Sequence, residues 1–215
     1  MDDSAEMRRL REHMVRTQIE NRGITNPLVL EAMRNVPRQL FVPKSERSHS
    51  YDDSPLPIGY EQTISQPYIV AYMTELLWLK GGERVLEIGT GCGYQTAVLS
   101  RIVRSVYSIE IVKPLYESAK SNLEKAGCSN VYLRNGDGYS GWPEQAPFDA
   151  IILTASPPAL PEPLLDQLKT RGRMVLPEGR VNQSLVVVEK TAGGTVRHLD
   201  IPVRFVPMTG IADEK

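Results

Sequence analysis

The stretch Arg84-Val85-Leu86-Glu87-Ile88-Gly89-Thr90-Gly91-Cys92-Gly93-Tyr94 constrains the fold of this chain more than any other. Val85, Leu86 and Ile88 make a short apolar run of the kind a buried parallel strand shows, glycines interrupt it, and a helical pattern resumes from Thr96 to Ile102. That order predicts a strand, a tight turn and a helix start. Glycine at 89, 91 and 93 removes the Cβ atoms that would hold a ligand off the backbone, so the turn is expected to present main-chain N–H and C=O groups to something bound against it.

Spacing and charge narrow the ligand. A dinucleotide fingerprint places glycines at the first, third and sixth positions so that a pyrophosphate lies on the helix N-terminus, and here the sixth position is Tyr94. Glu87, two residues ahead of the first glycine, would repel a pyrophosphate but suits an ammonium or sulfonium charge. S-adenosyl-L-methionine carries both cations and no phosphate, so it is favoured over NAD. A glycine-rich turn that binds nothing is the alternative while this motif stands alone.

With 215 residues the chain has the length of one α/β domain, residues 1–215, in which 1–65 form a helical and loop segment covering the site and 66–215 the cofactor-binding core. A net charge of −1 and a pI near 6.3 supply no basic field for a polyanion, which argues against a nucleic-acid partner. Cys92 and Cys128 have neither metal-ligand nor redox spacing, and the three histidines, His13, His49 and His198, form no cluster. No metal is expected, and no histidine is assigned a catalytic role. The start Met-Asp-Asp-Ser-Ala-Glu lacks the basic and apolar regions of a signal peptide, and no apolar run approaches the roughly 20 residues that span a bilayer. A cytoplasmic monomer with no membrane partner is the expectation.

Met7, Leu10 and Met14 recur at helical spacing in a charged segment and predict an amphipathic helix with those three facing inward. Asn26-Pro27 reads as an N-cap and first turn, followed by a buried stripe of Val29, Ala32, Met33 and Val36. Residues 41–64, with prolines at 43, 55 and 57, read as a long irregular connection. It ends in Gln62-Thr63-Ile64-Ser65-Gln66-Pro67, where Ser65 is either a helix cap or a functional hydroxyl. The next helix carries Ile69, Tyr72, Met73, Leu76 and Leu77 and is expected to stop at Gly81-Gly82. Beyond the glycine turn, strands at Val106–Ile109, Val131–Leu133, Phe148–Leu153 and Met174–Leu176 alternate with helices at Leu115–Ala126 and Leu160–Leu168. Leu185–Glu189 and Thr195–Leu199 read as a closing hairpin. The alternation is that of an open, mostly parallel α/β sheet.

In such sheets ligands bind beyond the carboxyl ends of the strands. Glu110 follows the second strand, 21 residues after Gly89, where an acid accepts the ribose hydroxyls; Asp137 follows the third, where it accepts from the adenine amino group. The glycine turn, Glu110 and Gly136-Asp137-Gly138 resemble the class I adenosylmethionine-dependent methyltransferases. The blocks Leu56-Pro57-Ile58-Gly59, Gln62-Thr63-Ile64-Ser65-Gln66-Pro67, Ala146-Pro147-Phe148-Asp149-Ala150-Ile151-Ile152, Gly172-Arg173-Met174-Val175-Leu176-Pro177 and Arg204-Phe205-Val206-Pro207 resemble, more narrowly, the protein-L-isoaspartate O-methyltransferase family over about residues 8–210.

The resemblance implies a doubly wound, mostly parallel seven-stranded sheet with helices on both faces, a Rossmann-like methyltransferase fold with an N-terminal helical segment. It implies methyl transfer from S-adenosyl-L-methionine to the free α-carboxylate of L-isoaspartyl residues in damaged proteins and peptides. It places Glu87, Gly89, Gly91, Glu110, Asp137 and Gly138 at the cofactor, Thr63 and backbone near Val206 at the substrate, and Ser65 at the acceptor carboxylate. Cys92, where serine is commoner, and Ser156, where alanine is commoner, depart from the family pattern in ways that bear on cofactor affinity. The chemistry fits the absence of a conspicuous base, because a peptide carboxylate with a pKa near 4 is already ionised at neutral pH. A covalent role for Ser65 would need a neighbouring base, and no histidine lies near it in sequence. Rival readings are a methyltransferase of this fold acting on a small molecule or RNA, and a non-enzymatic protein that keeps the fold as a binding scaffold.

Overall fold

Helix α1 (Ala5–Met14) starts where the Ser4 hydroxyl accepts from Met7 N at 3.2 Å. The computed structural model describes residues 3–214. Past Met14 the helix widens into a π turn (Val15–Ile19) and a 3₁₀ turn (Glu20–Arg22). The inward stripe is Arg11, Met14, Val15 and Ile19, so Leu10 does not join it and is 41% exposed. Arg11 takes the inward place because its guanidinium finds partners there: Nε donates to Arg34 O at 2.6 Å, and Nη1 reaches Asp3 and the Tyr51 hydroxyl. Helix α2 (Pro27–Asn35) opens as its sequence predicts, with Asn26 Oδ1 accepting from Leu28 N at 3.0 Å and Val29, Ala32 and Met33 buried.

Residues 41–64 are more ordered than their prolines suggest. A 3₁₀ turn (Lys44–His49) leads to a small antiparallel hairpin of β1 (Leu56–Gly59) and β2 (Gln62–Ile64), in which Leu56 pairs with Ile64. Strands of four and three residues carry too little alternation to be read locally. Helix α3 (Pro67–Leu76) follows; its N-cap is Gln66, with no side-chain cap, so Ser65 does not cap it. The helix ends before Gly81-Gly82 because Trp78 adopts a left-handed φ of 56°.

The seven-stranded sheet consists of β3 (Arg84–Ile88), β4 (Ser105–Glu110), β5 (Val131–Asn135), β6 (Phe148–Leu153), β7 (Leu168–Glu178), β8 (Gln183–Thr191) and β9 (Gly194–Val203), in the order β5-β4-β3-β6-β7-β8-β9. The first five in that order run parallel, and β8 and β9 close the sheet antiparallel. Strand order reverses between β3 and β6, which puts the crevice of a doubly wound sheet at their carboxyl ends. Both faces are buried. Val85, Val106, Ala150 and Val175 pack with the N-terminal helices and with α4 (Tyr94–Ser100) and α5 (Lys113–Lys125). Leu86, Ile88, Ile151 and Met174 pack on the other face with Leu164 of α6 (Glu162–Gln167) and with Met208 and Ala212 of the C-terminal segment.

Candidate active site

The turn after β3 forms one wall of the crevice. Gly89, Gly91 and Gly93 have φ of 97°, 56° and 92°, conformations that L side chains rarely adopt. At Gly89 a Cβ would in addition collide with Thr154 Oγ1, which donates to Gly89 O at 2.5 Å and to Ile88 O at 3.1 Å. Contrary to the sequence expectation, several of the turn's N–H groups are engaged within the protein. Gly89 N and Thr90 N donate to Ile109 O at 2.9 and 3.3 Å, and Gly91 N donates to Glu110 Oε2 at 2.7 Å. What the turn offers a ligand is close approach and a fixed carboxylate.

That carboxylate is Glu110, at the end of β4 and 5% exposed. Its Oε1 accepts from Val112 N at 2.8 Å, so each oxygen holds one main-chain donor and keeps a second lone-pair direction. Burial pushes its pKa up, and the donors at Val112 and Gly91 work in the opposite direction. Glu110, the glycine turn, Ile88, Ile109, Leu115, Gly138 and residues 206–209 line a cavity. Glu110 is the only charged residue on that wall among the described residues. A Cβ at Gly138 would collide with Ile88 Cγ2, so this position too is shaped for close packing. Cys92 lies on the wall, and burial pushes its thiol up to about 11. Ser156 sits off it, its hydroxyl donating to Gly179 O at 2.9 Å.

Two expected cofactor residues are placed differently. Glu87 is wholly buried and does not line the cavity: on β3 it points, with Val85, to the face covered by α4. Its Oε2 accepts from the Thr96 hydroxyl and from Ser108 Oγ at 2.6 Å, while Oε1 has no partner among the described residues. Burial pushes its pKa up to about 7. It ties helix α4 to β4 beneath the turn; it is not a direct partner for a ligand cation. Asp137 also lies off the wall, its Oδ1 accepting from Tyr139 N at 2.8 Å and its Oδ2 from Ile211 N at 2.7 Å.

A second cavity adjoins the first, lined by Pro55, Thr63, Ser65, Gln66, Ile69, Thr154 and residues 202–206. Five residues, Thr63, Ser65, Ile69, Thr154 and Val206, line both. The Ser65 side chain is half-buried, and its hydroxyl makes no hydrogen bond among the described residues. Val206 is held by its carbonyl, which accepts from Ser156 N at 2.8 Å. Thr154 was not singled out from sequence, although a polar residue just beyond β6 at the switch point was the available signal. Among the described residues no three His, Cys, Asp or Glu side chains are grouped as a metal site would need, and no helix is long and apolar enough to cross a membrane.

The family model described as protein-L-isoaspartate(D-aspartate) O-methyltransferase matches residues 8–213. The chain belongs to this family. A protein-L-isoaspartate O-methyltransferase of Opitutus terrae is 55% identical over 201 residues, covering 93% of this chain and 86% of its own. One from a Synechococcus species is 54% identical over 206 residues, covering 92% and 84%. Among solved structures, a protein-L-isoaspartate O-methyltransferase superposes with a TM-score of 0.86 at 33% identity, over 93% of this chain and 66% of that one. A Plasmodium falciparum structure in complex with S-adenosyl-L-homocysteine gives 0.82 at 25% identity, over 93% and 98%. The matched range spans the whole seven-stranded sheet and every residue that lines the two cavities.

Proposed function

We propose that the cavity beside Glu110 holds S-adenosyl-L-methionine, that the one beside residues 202–206 holds an L-isoaspartyl peptide, and that methyl transfer takes place across the wall they share. The observation that carries this reading is that Thr63, Ser65, Ile69, Thr154 and Val206 face both cavities. The residues fit the cofactor. Glu110 keeps free lone pairs for ribose hydroxyls, Gly89, Gly91 and Gly138 permit close approach, and a wall whose one charge is negative suits a sulfonium ligand without phosphates. When bound, the cofactor supplies an activated methyl group on sulfur.

The acceptor is ionised at neutral pH and needs no general base. Ser65 Oγ donates a hydrogen bond to one carboxylate oxygen and leaves the other to form the new O–CH₃ bond as the S–CH₃ bond breaks. Ile69 and Thr154 crowd the passage and limit competing water. Backbone near Val206, with Thr63 across the groove, fixes the flanking peptide. The ester product then closes to a succinimide without the enzyme, since an ester expels alkoxide far more readily than a carboxylate expels oxide. Hydrolysis returns part of the material as normal aspartate. We read the protein as a cytoplasmic monomer with no nucleic-acid or membrane partner; its net charge of −1 supports the lack of a nucleic-acid partner and its two free cysteines a reducing compartment.

In an isoaspartyl linkage the free carboxylate sits on the α-carbon and the backbone is one methylene longer, so a normal aspartate cannot satisfy Ser65 and the Val206 backbone together. Sites that leave polar groups unpaired with the wrong substrate discriminate by about 10⁴-fold or more. Labelled adenosylmethionine with matched peptides should therefore methylate the L-isoaspartyl form and almost none of its L-aspartyl twin. Equal labelling of both, or of neither alongside a good small-molecule or RNA acceptor, would overturn the assignment.

A further inference from the structure

The seven asparagines of the chain are followed by Arg, Pro, Val, Leu, Val, Gly and Gln, so only Asn135 precedes a glycine. Asparagine before glycine is the sequence most prone to lose its side-chain amide. The next main-chain nitrogen attacks the carboxamide carbon, a new C–N bond closes a succinimide ring, and ammonia leaves. Glycine offers that nitrogen with no Cβ in the way and with the freest backbone. Water then opens the ring at either carbonyl and leaves an aspartyl or an isoaspartyl linkage. Asn135 is the last residue of β5 and is exposed, so neither burial nor exclusion of water protects it. Nothing nearby demands the glycine. Gly136 lies outside the left-handed region, and a Cβ there would meet nothing within 4 Å among the described residues.

The fold holds both reacting groups on one acceptor. Asn135 Nδ2 donates to Glu110 O at 2.7 Å, and Gly136 N donates to the same oxygen at 3.0 Å. We propose that the Glu110 carbonyl locks the site at which this chain itself ages, so that Asn135 loses its amide only when the end of β5 comes away from β4. Ring closure requires Gly136 N to give up its proton, and a nitrogen anion facing a carbonyl oxygen is repelled. It also requires the carboxamide to turn off Glu110 O, which breaks the second bond. Both bonds sit where Asn135 stands opposite Glu110 in the parallel register. β5 is an edge strand that pairs with β4 alone among the described residues, so its end opens without unfolding the rest of the sheet. The lesion lands beside the first cavity. An aspartate at 135 sets a carboxylate against the Glu110 carbonyl, and an isoaspartyl linkage lengthens the main chain by one methylene shortly before Gly138, which lines that cavity.

Peptide mapping by mass spectrometry, on the full chain held at neutral pH with and without urea, tests the lock. In urea Asn135 should be converted ahead of the other asparagines, and in the folded protein it should be converted more slowly by about a hundredfold or more. Leu133 packs on the core from β5, so Leu133→Ala should loosen the strand and speed the loss from folded protein by about tenfold. Val187→Ala, which thins the core at β8 on the other side of the sheet, should leave that rate at the parent's. Circular dichroism would show that each variant is folded. Should Leu133→Ala fail to fold, Tyr132→Ala loosens the same strand from its exposed face by removing the stack on Tyr107. Conversion of another asparagine first in urea, a smaller difference between folded and unfolded chain, or equal acceleration by the β5 and β8 variants would overturn the lock.

Discussion

Ser65 and Glu87 show how much of a residue's role depends on where its polar atoms end up. Gln66 precedes α3 without a side-chain cap, and the Ser65 hydroxyl is unpaired among the described residues on the wall between the cavities, so its hydrogen-bonding capacity is available to a ligand. A hydrogen bond to a charged group is worth roughly 1.5–3 kcal/mol, so Ser65→Ala should lower kcat/KM for an isoaspartyl peptide by about ten- to a hundredfold. Affinity for S-adenosylhomocysteine should hold. A variant that loses only thermal stability, with kinetics intact, would remove Ser65 from the acceptor site. Glu87 bears on stability. Its pKa rises from an ordinary 4.5 to about 7 chiefly because burial disfavours its charged form. The folded protein therefore keeps a proton that the unfolded chain releases. The stabilisation is complete below about pH 4.5 and is lost as pH rises through 7, about 3 kcal/mol in all. Glu87→Gln stays neutral throughout, so its Tm relative to the parent should climb between pH 5 and 8. A constant difference would show that Glu87 does not titrate in that window.

Among the elements, the β1–β2 hairpin carries Thr63, one of the residues that line both cavities. Leu56, Ile58 and Ile64 face the core, and Thr63 alternates outward onto the groove wall. Its tip is a two-residue turn in which Tyr60 and Glu61 have φ of 54° and 59°. Left-handed backbone costs a non-glycine residue roughly 1–2 kcal/mol, part of which glycine gives back through its freer unfolded state. Glu61→Gly should thus stabilise by about 0.5–1 kcal/mol and raise Tm by about 2–3 °C, with the peptide kinetics unchanged. An unaltered or lower Tm in scanning calorimetry would refute a strained tip. The same turn explains why the hairpin escaped local reading, since neither Tyr60 nor Glu61 is a residue that marks a hairpin turn.

For the whole molecule, one apolar cluster joins Met14 and Met33 of the N-terminal helices to Val85, Val106 and Ile152 of the sheet. We infer that residues 1–65 and 66–215 unfold as one cooperative domain. Calorimetry should show a single transition, and S-adenosylhomocysteine at a hundred times its Kd should move all of it upward by about 2.7 kcal/mol of stability. Two transitions, with only one responding to ligand, would divide the chain. The doubly wound order has the same consequence for the site: β3, β4 and β6 end beside one another, so Gly89, Glu110 and Thr154 meet although they are distant in sequence.

What the sequence by itself determined is whatever local periodicity and offset carry. The strand, turn and helix around Gly89, the α/β alternation that follows, the Asn26 cap and the acid that ends β4 all depend on neighbours within a few turns of chain, and each stands where the pattern puts it. The block from Gln62 to Pro67 carried the resemblance that puts Ser65 forward as the acceptor-side residue. Tertiary structure decided where side chains point and what satisfies them. Glu87 turned into the layer beneath α4, Arg11 displaced Leu10 from the inward face, the turn's N–H groups went to Ile109 and Glu110, and Asp137 accepted from Ile211. A buried polar atom must take whichever donor or acceptor the packed chain brings within about 3 Å. For Asp137 that donor lies 74 residues away, beyond the reach of any local pattern.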